Sequence, residues 1–422
     1  MISNQSLEQS IYVGLAHDPD QGVEPVGLMK LTRHGVLESG EFAYGQRYLK
    51  KIHAQPLNPD YLPLQEATFT LGERRFRDGG AIPLTLKDAL PDSWGRKVLE
   101  IRHGRSLSDV EALLLTNEDR IGAMFFSESL KFEYPVETIP PLTLDELADA
   151  SRRIEAGLEI DPHMNQLLRG GSLGGARPKA PFVLEGRRYI AKFAARGDDH
   201  DVELLEATTL SLALACGITV PRTVVLPVST GHALLVERFD RDGPISNEQR
   251  FHYLSASALL DAPYESSKGS YVELAQTLRR ISSRPVQDLE ELFRRLIFNL
   301  SAGNSDDHGK NHGVLHQGSG FWKLAPAFDL VMQWGGQTGY QSMAISPGRF
   351  ESSFGTGKSI RCIFRLVYDQ SERNHRVHRK HRRRFYLSLC TSLRWRPQVL
   401  PTSRKLLQKN KRKEFAADAV FL

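Results

Sequence analysis

The sequence contains little cysteine and no long apolar run. Only three cysteines, Cys216, Cys362 and Cys390, occur among its 422 residues. A sparse, odd set without paired spacing argues against both a disulfide framework and a zinc cluster. No apolar stretch reaches the length needed to cross a bilayer, and the first residues lack the basic and apolar regions of a secretory signal. We therefore expect a cytoplasmic location and no membrane partner.

The chain is also short of positive charge outside its C-terminal end. Residues 358–422 contain 18 Lys and Arg against 4 Asp and Glu, whereas the preceding residues contain 37 against 46. The basic character therefore belongs to a tail and not to the body. Three interpretations of the tail remain open: a solvated or disordered segment, a patch for nucleic acid or a nucleotide-bearing partner, and a change of reading frame near Gly355.

The most informative stretch lies at residues 302–311, after an apolar run of helical spacing that Gly303 ends. Asp306 precedes Asn311 by five positions. This is the interval of a kinase catalytic loop, in which the Asp accepts the proton of the substrate hydroxyl and the Asn holds magnesium. Asp307 does not keep this interval, so Asp306 is the better candidate for the base.

Two further signals occur in the order that a kinase requires. Residues 189–193 resemble a buried strand that carries Lys192, and a buried lysine is costly without an anionic partner. A helix is predicted at 202–216, and of its two acids we favour Glu206 over Glu203 as that partner. Asp329 follows a short apolar stretch, as the second magnesium-binding Asp of a kinase does.

A glycine-rich segment at 170–179 precedes the strand that carries the lysine. Glycines allow the backbone to approach a phosphate and to direct successive N–H groups at it. The pattern matches neither the Walker A motif nor the Gly-x-Gly-x-x-Gly of ordinary protein kinases. A plain turn is therefore the alternative to a phosphate-binding loop.

Three histidines, His308, His312 and His316, are spaced four apart and would present a metal-binding face on a helix. Gly309 and Gly313 interrupt this stretch and make such a helix improbable. We therefore do not expect a zinc site here.

Together these motifs resemble the HipA family of bacterial serine/threonine kinases, the toxins of toxin–antitoxin pairs. The resemblance covers roughly residues 10–355. It is carried by Pro91-Asp92-Ser93-Trp94-Gly95-Arg96, Ser172-Leu173-Gly174-Gly175-Ala176-Arg177-Pro178-Lys179, Lys192, Val236-Glu237-Arg238-Phe239-Asp240, Asp306-Asp307-His308-Gly309-Lys310-Asn311 and Phe328-Asp329.

The resemblance implies an α+β fold. A two-lobed protein-kinase-like unit, with a β-rich N-lobe and an α-rich C-lobe, would follow a small β-rich N-terminal domain. We expect the small domain at 1–135, the N-lobe at 136–240, the C-lobe at 241–357 and the basic tail at 358–422. The segment around Asp92 would lie beside the kinase site without belonging to it. Trp94 would then be a core anchor, and Asp92 or Ser93 a helix cap.

The resemblance also implies ATP and Mg²⁺ as ligands. Asp306 and Lys192 would be catalytic, Glu206 would pair with Lys192, and Asn311 and Asp329 would hold the metal. Ser172 matches a serine whose autophosphorylation expels the glycine-rich loop and inactivates the enzyme. The positions that would contact ATP, through the backbone at Glu237 and Phe239, are Gly174, Gly175, Ala176, Lys179, Lys192, Glu237, Phe239 and Lys310.

The partners that the resemblance implies are a small helix-turn-helix antitoxin of HipB type, DNA indirectly through that antitoxin, and a protein substrate such as an aminoacyl-tRNA synthetase. The alternative function is a catalytically impaired kinase-like module that binds within an antitoxin–DNA complex.

Overall fold

Alternating apolar residues near the N-terminus form the first sheet. Its strands are β1 (Leu7–Leu15), β2 (Glu24–His34), β3 (Leu37–Tyr44), β4 (Thr68–Arg75) and β5 (Met124–Ser127). All pairings are antiparallel, in the order β4-β3-β2-β1-β5. Ile11, Val13 and Leu15 of β1 point into a core that Phe42 and Met29 share. The strands predicted in this region are therefore confirmed.

Among the residues that the structure describes here, the helices are α1 (Gln46–Leu49), α2 (Leu84–Lys87), α3 (Ser93–His103) and α4 (Asp109–Leu115). α3 is longer than the predicted helix at 97–101, because Trp94 and Val98 lie one turn apart and bury the same face. Trp94 is the core anchor that the sequence predicted, and it packs against Ile154 of the next helix, α5 (Leu144–Glu155).

A second antiparallel sheet follows α5. It contains β6 (Lys179–Leu184), β7 (Arg187–Lys192), β8 (Thr223–Val228) and β9 (Gly231–Glu237), in the order β6-β7-β9-β8. One helix, α6 (Val202–Ala215), connects β7 to β8 and contacts β9 and β8. The sheet and this helix form the smaller, β-rich lobe.

The rest of the described chain forms a mostly α-helical lobe. Its helices are α7 (Ala256–Leu259), α8 (Tyr271–Ile281) and α9 (Pro285–Ala302). Gly303 follows α9 in the left-handed conformation, with φ at 68°, and turns the chain into the next loop. The short strands of this lobe are β10 (Arg241–Asp242), β11 (Gln249–Arg250), β12 (Tyr253–Ser255), β13 (Gly313–His316) and β14 (Trp322–Leu324).

The computed structural model describes residues 7–75, 80–116, 120–132, 142–158, 175–263, 268–333 and 339–351. All of them belong to one of the chain's two units, residues 1–364 together with Leu422, and the other unit is 365–421. The expectations for Ser172, Gly174 and the basic tail lie outside the described residues. Within those residues, no helix is both long and apolar enough to cross a membrane.

Candidate active site

Lys192, the last residue of β7, lies between two carboxylates. Its Nζ donates to Glu206 Oε1 and Oε2, at 2.7 and 2.9 Å, and to Asp329 Oδ1 at 2.7 Å. Glu206 comes from α6, which packs along the same sheet. The other acid on that helix, Glu203, accepts instead from Arg177, at 3.1 Å. The lysine therefore contacts the carboxylate that the helical spacing favoured.

The opposite charges of Lys192, Glu206 and Asp329 influence one another's pKa values. Burial would lower the pKa of Lys192, but Asp329 and Glu206 outweigh it and hold that pKa well above its ordinary value. Lys192 in turn holds the pKa of Asp329 well below its usual range. Burial, together with the positive charge of Lys192, lowers the pKa of the neighbouring Lys179 to about 8. Two lysines are thus concentrated at one edge of the smaller lobe.

Asp306 and Asn311 are joined within the loop that follows α9. Asn311 is buried, and its Nδ2 donates to the backbone oxygen of Asp306 at 2.9 Å. Asp306 itself is exposed. Partial loss of hydration raises its pKa; His308 opposes this rise, and the negative charges of Asp329 and Asp307 add to it. A carboxylate with a raised pKa that reaches solvent is suited to accept a proton.

Asp307 has a different environment from its neighbour. It is 1% exposed and accepts a hydrogen bond from the Tyr271 hydroxyl and one from His312 Nε2, the latter at 2.6 Å. Asn299 Nδ2 donates to the same hydroxyl at 3.2 Å. Asp307 therefore anchors the loop to α8 directly and to α9 through the Tyr271 hydroxyl. Asp306 is the one of the two acids that a substrate could reach.

The three histidines do not share a helix, because a single 3-10 turn (Gly309–Asn311) and then β13 run between them. The ring of His312 is bonded to Asp307, and His316 is buried on β13. Across the described residues, no group of three or more His, Cys, Asp or Glu side chains is placed to hold a metal ion.

Asp92, at the start of α3, contacts two residues that the sequence assigned to the kinase site, Gly175 and Lys310. It occupies the N-cap position of α3, but its side chain makes no capping bond. Instead Oδ2 accepts from the backbone N–H of Gly175 at 2.6 Å, and Oδ1 accepts from Lys310 Nζ at 2.7 Å. The predicted cap residue therefore stands at the helix start, but its carboxylate bonds to residues distant in sequence, which a local capping pattern does not record.

The structure describes three more of the positions predicted to contact ATP. Ala176 is exposed. Glu237 accepts from Arg187 Nη1 at 2.8 Å, and its backbone N–H donates to the Arg222 carbonyl at 2.9 Å. Its N–H is therefore already used within the lobe. The ring of Phe239 packs against those of Tyr253 and Phe328, with centroids 6.1 and 5.3 Å away.

The donor set suits a magnesium–nucleotide complex. Gly175 has a φ of 102°, and a Cβ on it would lie 2.0 Å from Lys179 Nζ, so only glycine allows this ammonium so close to the backbone. The oxygens of Asn311 and Asp329 are hard ligands of the kind that Mg²⁺ prefers. Mg²⁺ usually takes only one or two protein ligands and completes its shell with phosphate oxygens and water.

The same residues match a known protein family. A family model described as the HipA-like C-terminal domain matches residues 171–392, which is more than half of the chain and includes the first part of the basic tail. The protein named "Putative kinase Y4mE" of Sinorhizobium fredii is 30% identical over 338 residues, which cover 72% of this chain and 74% of that protein.

Two further comparisons concern Shewanella oneidensis. Its serine/threonine-protein kinase toxin HipA is 26% identical over 186 residues, 38% of this chain and 42% of that protein. A solved complex of HipA, HipB and operator DNA from strain MR-1 matches with a TM-score of 0.60, over 85% of this chain and 90% of that chain, at 19% identity. This likeness confirms the predicted α+β, kinase-like fold.

Proposed function

Because the chain belongs to the HipA family of kinases, we propose that it transfers the γ-phosphoryl group of ATP to a serine or threonine hydroxyl of a protein. The observation that carries the proposal is the bridge of Lys192 between Glu206 and Asp329. It places a charged lysine next to a metal-binding candidate, with Asp306 close enough to feel the charge of Asp329. Phosphoryl transfer depends mainly on such positioning and on charge neutralisation.

The residues divide the work as follows. Lys192 and Lys179 bind phosphate oxygens, and Lys310 lies on the catalytic loop, where the transferring phosphoryl group would be. Asp306 orients the substrate hydroxyl and accepts its proton as the new O–P bond forms and the bond from the γ-phosphorus to ADP breaks. Asn311 and Asp329 would hold magnesium, which neutralises charge on the phosphates when it is bound.

The regulation that we propose rests on Ser172. A phosphate on this residue adds a charge of about −1.5 to −2 next to the loop intended for the phosphates of ATP. Repulsion between the two would favour an open loop and reduce ATP binding. The modification would therefore inhibit the enzyme that makes it.

The partners that we propose are a helix-turn-helix antitoxin of HipB type, through it DNA, and a protein substrate of the aminoacyl-tRNA synthetase class; the activity would be that of a toxin. The support is the family membership, together with the fold shared with a HipA that was solved with HipB and operator DNA.

The proposal is tested by incubating the full chain with γ-labelled ATP and Mg²⁺ and mapping any phosphorylated residue by mass spectrometry. We expect phosphate on serine or threonine of the chain itself. An Asp306→Ala chain, incubated in parallel, should carry none. Tight ATP binding without any transfer would favour the catalytically impaired binding module instead.

A further inference from the structure

The N-terminal domain supplies an acid to the kinase site. Asp92 stands at the first turn of α3, where Trp94 is buried and its Nε1 donates to the backbone oxygen of Lys179 at 2.9 Å. The backbone N–H of Trp94 also donates to the carbonyl of Gly175, at 3.4 Å. Asp92 is therefore held by a helix that is itself fixed to the end of the glycine-rich segment.

The carboxylate of Asp92 joins two elements that must work together. Its two oxygens accept from Gly175, the last glycine of the glycine-rich segment, and from Lys310, which lies in the catalytic loop. Asp92 and Lys310 are 218 positions apart in sequence. One side chain of the N-terminal domain thus connects the loop predicted to cover ATP with the loop that carries the proposed base.

A second acid of the same segment, Asp88, adds to the negative charge that acts on Lys310. Asp88 is bonded to Ser255, accepting from its backbone N–H at 2.6 Å and from its hydroxyl at 2.7 Å. Burial would lower the pKa of Lys310, but Asp92 and then Asp88 raise it. Lys310 is thus bonded to one carboxylate of this segment and is close enough to a second to feel its charge.

We propose that Asp92 is a positioning residue of the kinase site, which holds the Lys310 ammonium at the place of the transferring phosphoryl group; this rests on the proposed function. An ammonium has three donors, so Lys310 can bond to Asp92 and still offer two N–H groups to phosphate. A lysine side chain has considerable rotamer freedom. Fixing it in advance removes reorganisation from the step in which charge moves.

If Asp92 has this role, its substitution should lower the rate of phosphoryl transfer without lowering the affinity for ATP. Removing the charge of Asp92 leaves Lys310 without its anchor, so the rate of phosphoryl transfer falls. The affinity for ATP does not fall, because the same change removes a negative charge close to where the phosphates would bind. A purely structural role would instead weaken ATP binding together with the rate.

The first test compares Asp92→Asn with the full-length wild type. We expect turnover to fall about tenfold, the lower end of the loss when a partner that orients an active-site group is removed. Calorimetry with a non-hydrolysable ATP analogue should show affinity equal to or tighter than that of the wild type. Asp109→Asn is the matched control, because Asp109 is as exposed as Asp92, at 27% against 29%, and pairs with Arg96 inside the N-terminal domain. It should change neither quantity.

The second test asks whether Asp92 acts through Lys310. If it does, Lys310→Met and the double variant Asp92→Asn with Lys310→Met should have the same turnover, since the acid has nothing left to position. Equal turnover of Asp92→Asn and the wild type would overturn the proposal. So would two losses that multiply in the double variant.

A readout without ATP separates this proposal from the proposed function. Limited acylation of lysines, mapped by mass spectrometry, should modify Lys310 severalfold faster in Asp92→Asn than in the wild type or in Asp109→Asn. If the wild type transfers no phosphate but this contrast is present, the proposed function fails while the contact stands. If labelling of Lys310 is the same in all three chains, Asp92 does not hold the lysine and the positioning role is refuted.

Discussion

Two of the charged clusters in the kinase-like part of the chain differ in how completely their charges are satisfied. In the open cluster, formed by Lys192, Glu206 and Asp329, the carboxylate of Asp329 is 40% exposed. In the closed cluster, formed by Arg238, Asp240 and Arg241, the side chains are only 3–4% exposed. Both are tightly paired, so ion pairing alone does not distinguish a site from a structural support.

The difference lies in what surrounds each aspartate. Asp240 accepts from both arginines and from the backbone N–H of Gly122, with distances of 2.7–2.8 Å. The arginines also donate to the carbonyl of Arg120, at 2.7 and 2.9 Å. The closed cluster therefore ties residues 120–122 to the kinase-like part and has no exposed face for a ligand. The open cluster faces solvent and has Lys179 beside it, so a phosphate and a metal ion can add to it.

The largest effect should come from the loop beside the open cluster. Replacing Asp306 with alanine should reduce phosphoryl transfer by about 10²–10⁴-fold, the usual contribution of a general base. Its thermal stability should stay close to that of the wild type, because Asp306 is exposed. Both are measured with labelled ATP and a thermal melt.

Asp307→Asn is the matched control for that prediction. It should lower the melting temperature, because it disturbs the buried bonds to Tyr271 and His312. A fully active Asp306→Ala chain, with Asp307→Asn folded but inactive, would show that the two acids have been assigned the wrong way round.

The second effect concerns stability and the closed cluster. Asp240→Asn should lower the free energy of unfolding by roughly 3–5 kcal/mol, because it removes the buried carboxylate that pairs with both arginines. Glu206→Gln in the open cluster should cost less, since Lys192 keeps its contact with Asp329. Urea denaturation of both variants gives the comparison. Equal losses would remove the distinction between the clusters.

A third, smaller effect is a pH dependence of ATP binding. The pKa of Lys179 is lowered to about 8, so its ammonium loses charge as the pH rises through that value, while Lys192 stays charged. ATP affinity should therefore fall by about tenfold between pH 7 and 9, the strength of one charge-assisted hydrogen bond. Lys179→Arg should abolish this dependence, because a guanidinium does not titrate in that range. An unchanged slope in that variant would assign the dependence to another group.

The smallest effect is expected at Ser172. Ser172→Asp should weaken ATP binding by severalfold because it carries only one of the charges of a phosphate, and Ser172→Ala should leave binding unchanged. Calorimetry of the two variants tests this. Equal affinities, or a phosphate mapped to another residue, would contradict the self-inhibitory role.

The sequence predicted those parts of the site that local patterns encode. An apolar strand with one lysine, an acid on the following helix and a glycine after α9 are each visible within a few residues, because strand and helix periods are local. The contact between Lys192 and Glu206 spans only 14 positions.

Other parts of the site were not predictable in this way. The bond between Asp92 and Lys310 joins residues 218 positions apart, and the segment at 91–96 has an ordinary helix-start pattern. The hydrogen bond that holds Asp307 comes from Tyr271, which lies 36 positions earlier, on α8. Such contacts follow from tertiary packing, which no local period records.

The central claim is that the open cluster is a nucleotide and magnesium site and the closed cluster is not. The most direct measurement is the affinity for ATP, by calorimetry, with and without Mg²⁺, for the wild type, Asp329→Asn and, as a control in the closed cluster, Arg241→Lys. We expect Mg²⁺ to tighten ATP binding in the wild type and in folded Arg241→Lys, but not in Asp329→Asn, which lacks the charged metal ligand. Magnesium-dependent binding that persists in Asp329→Asn would contradict the assignment, as would a wild type that binds no ATP.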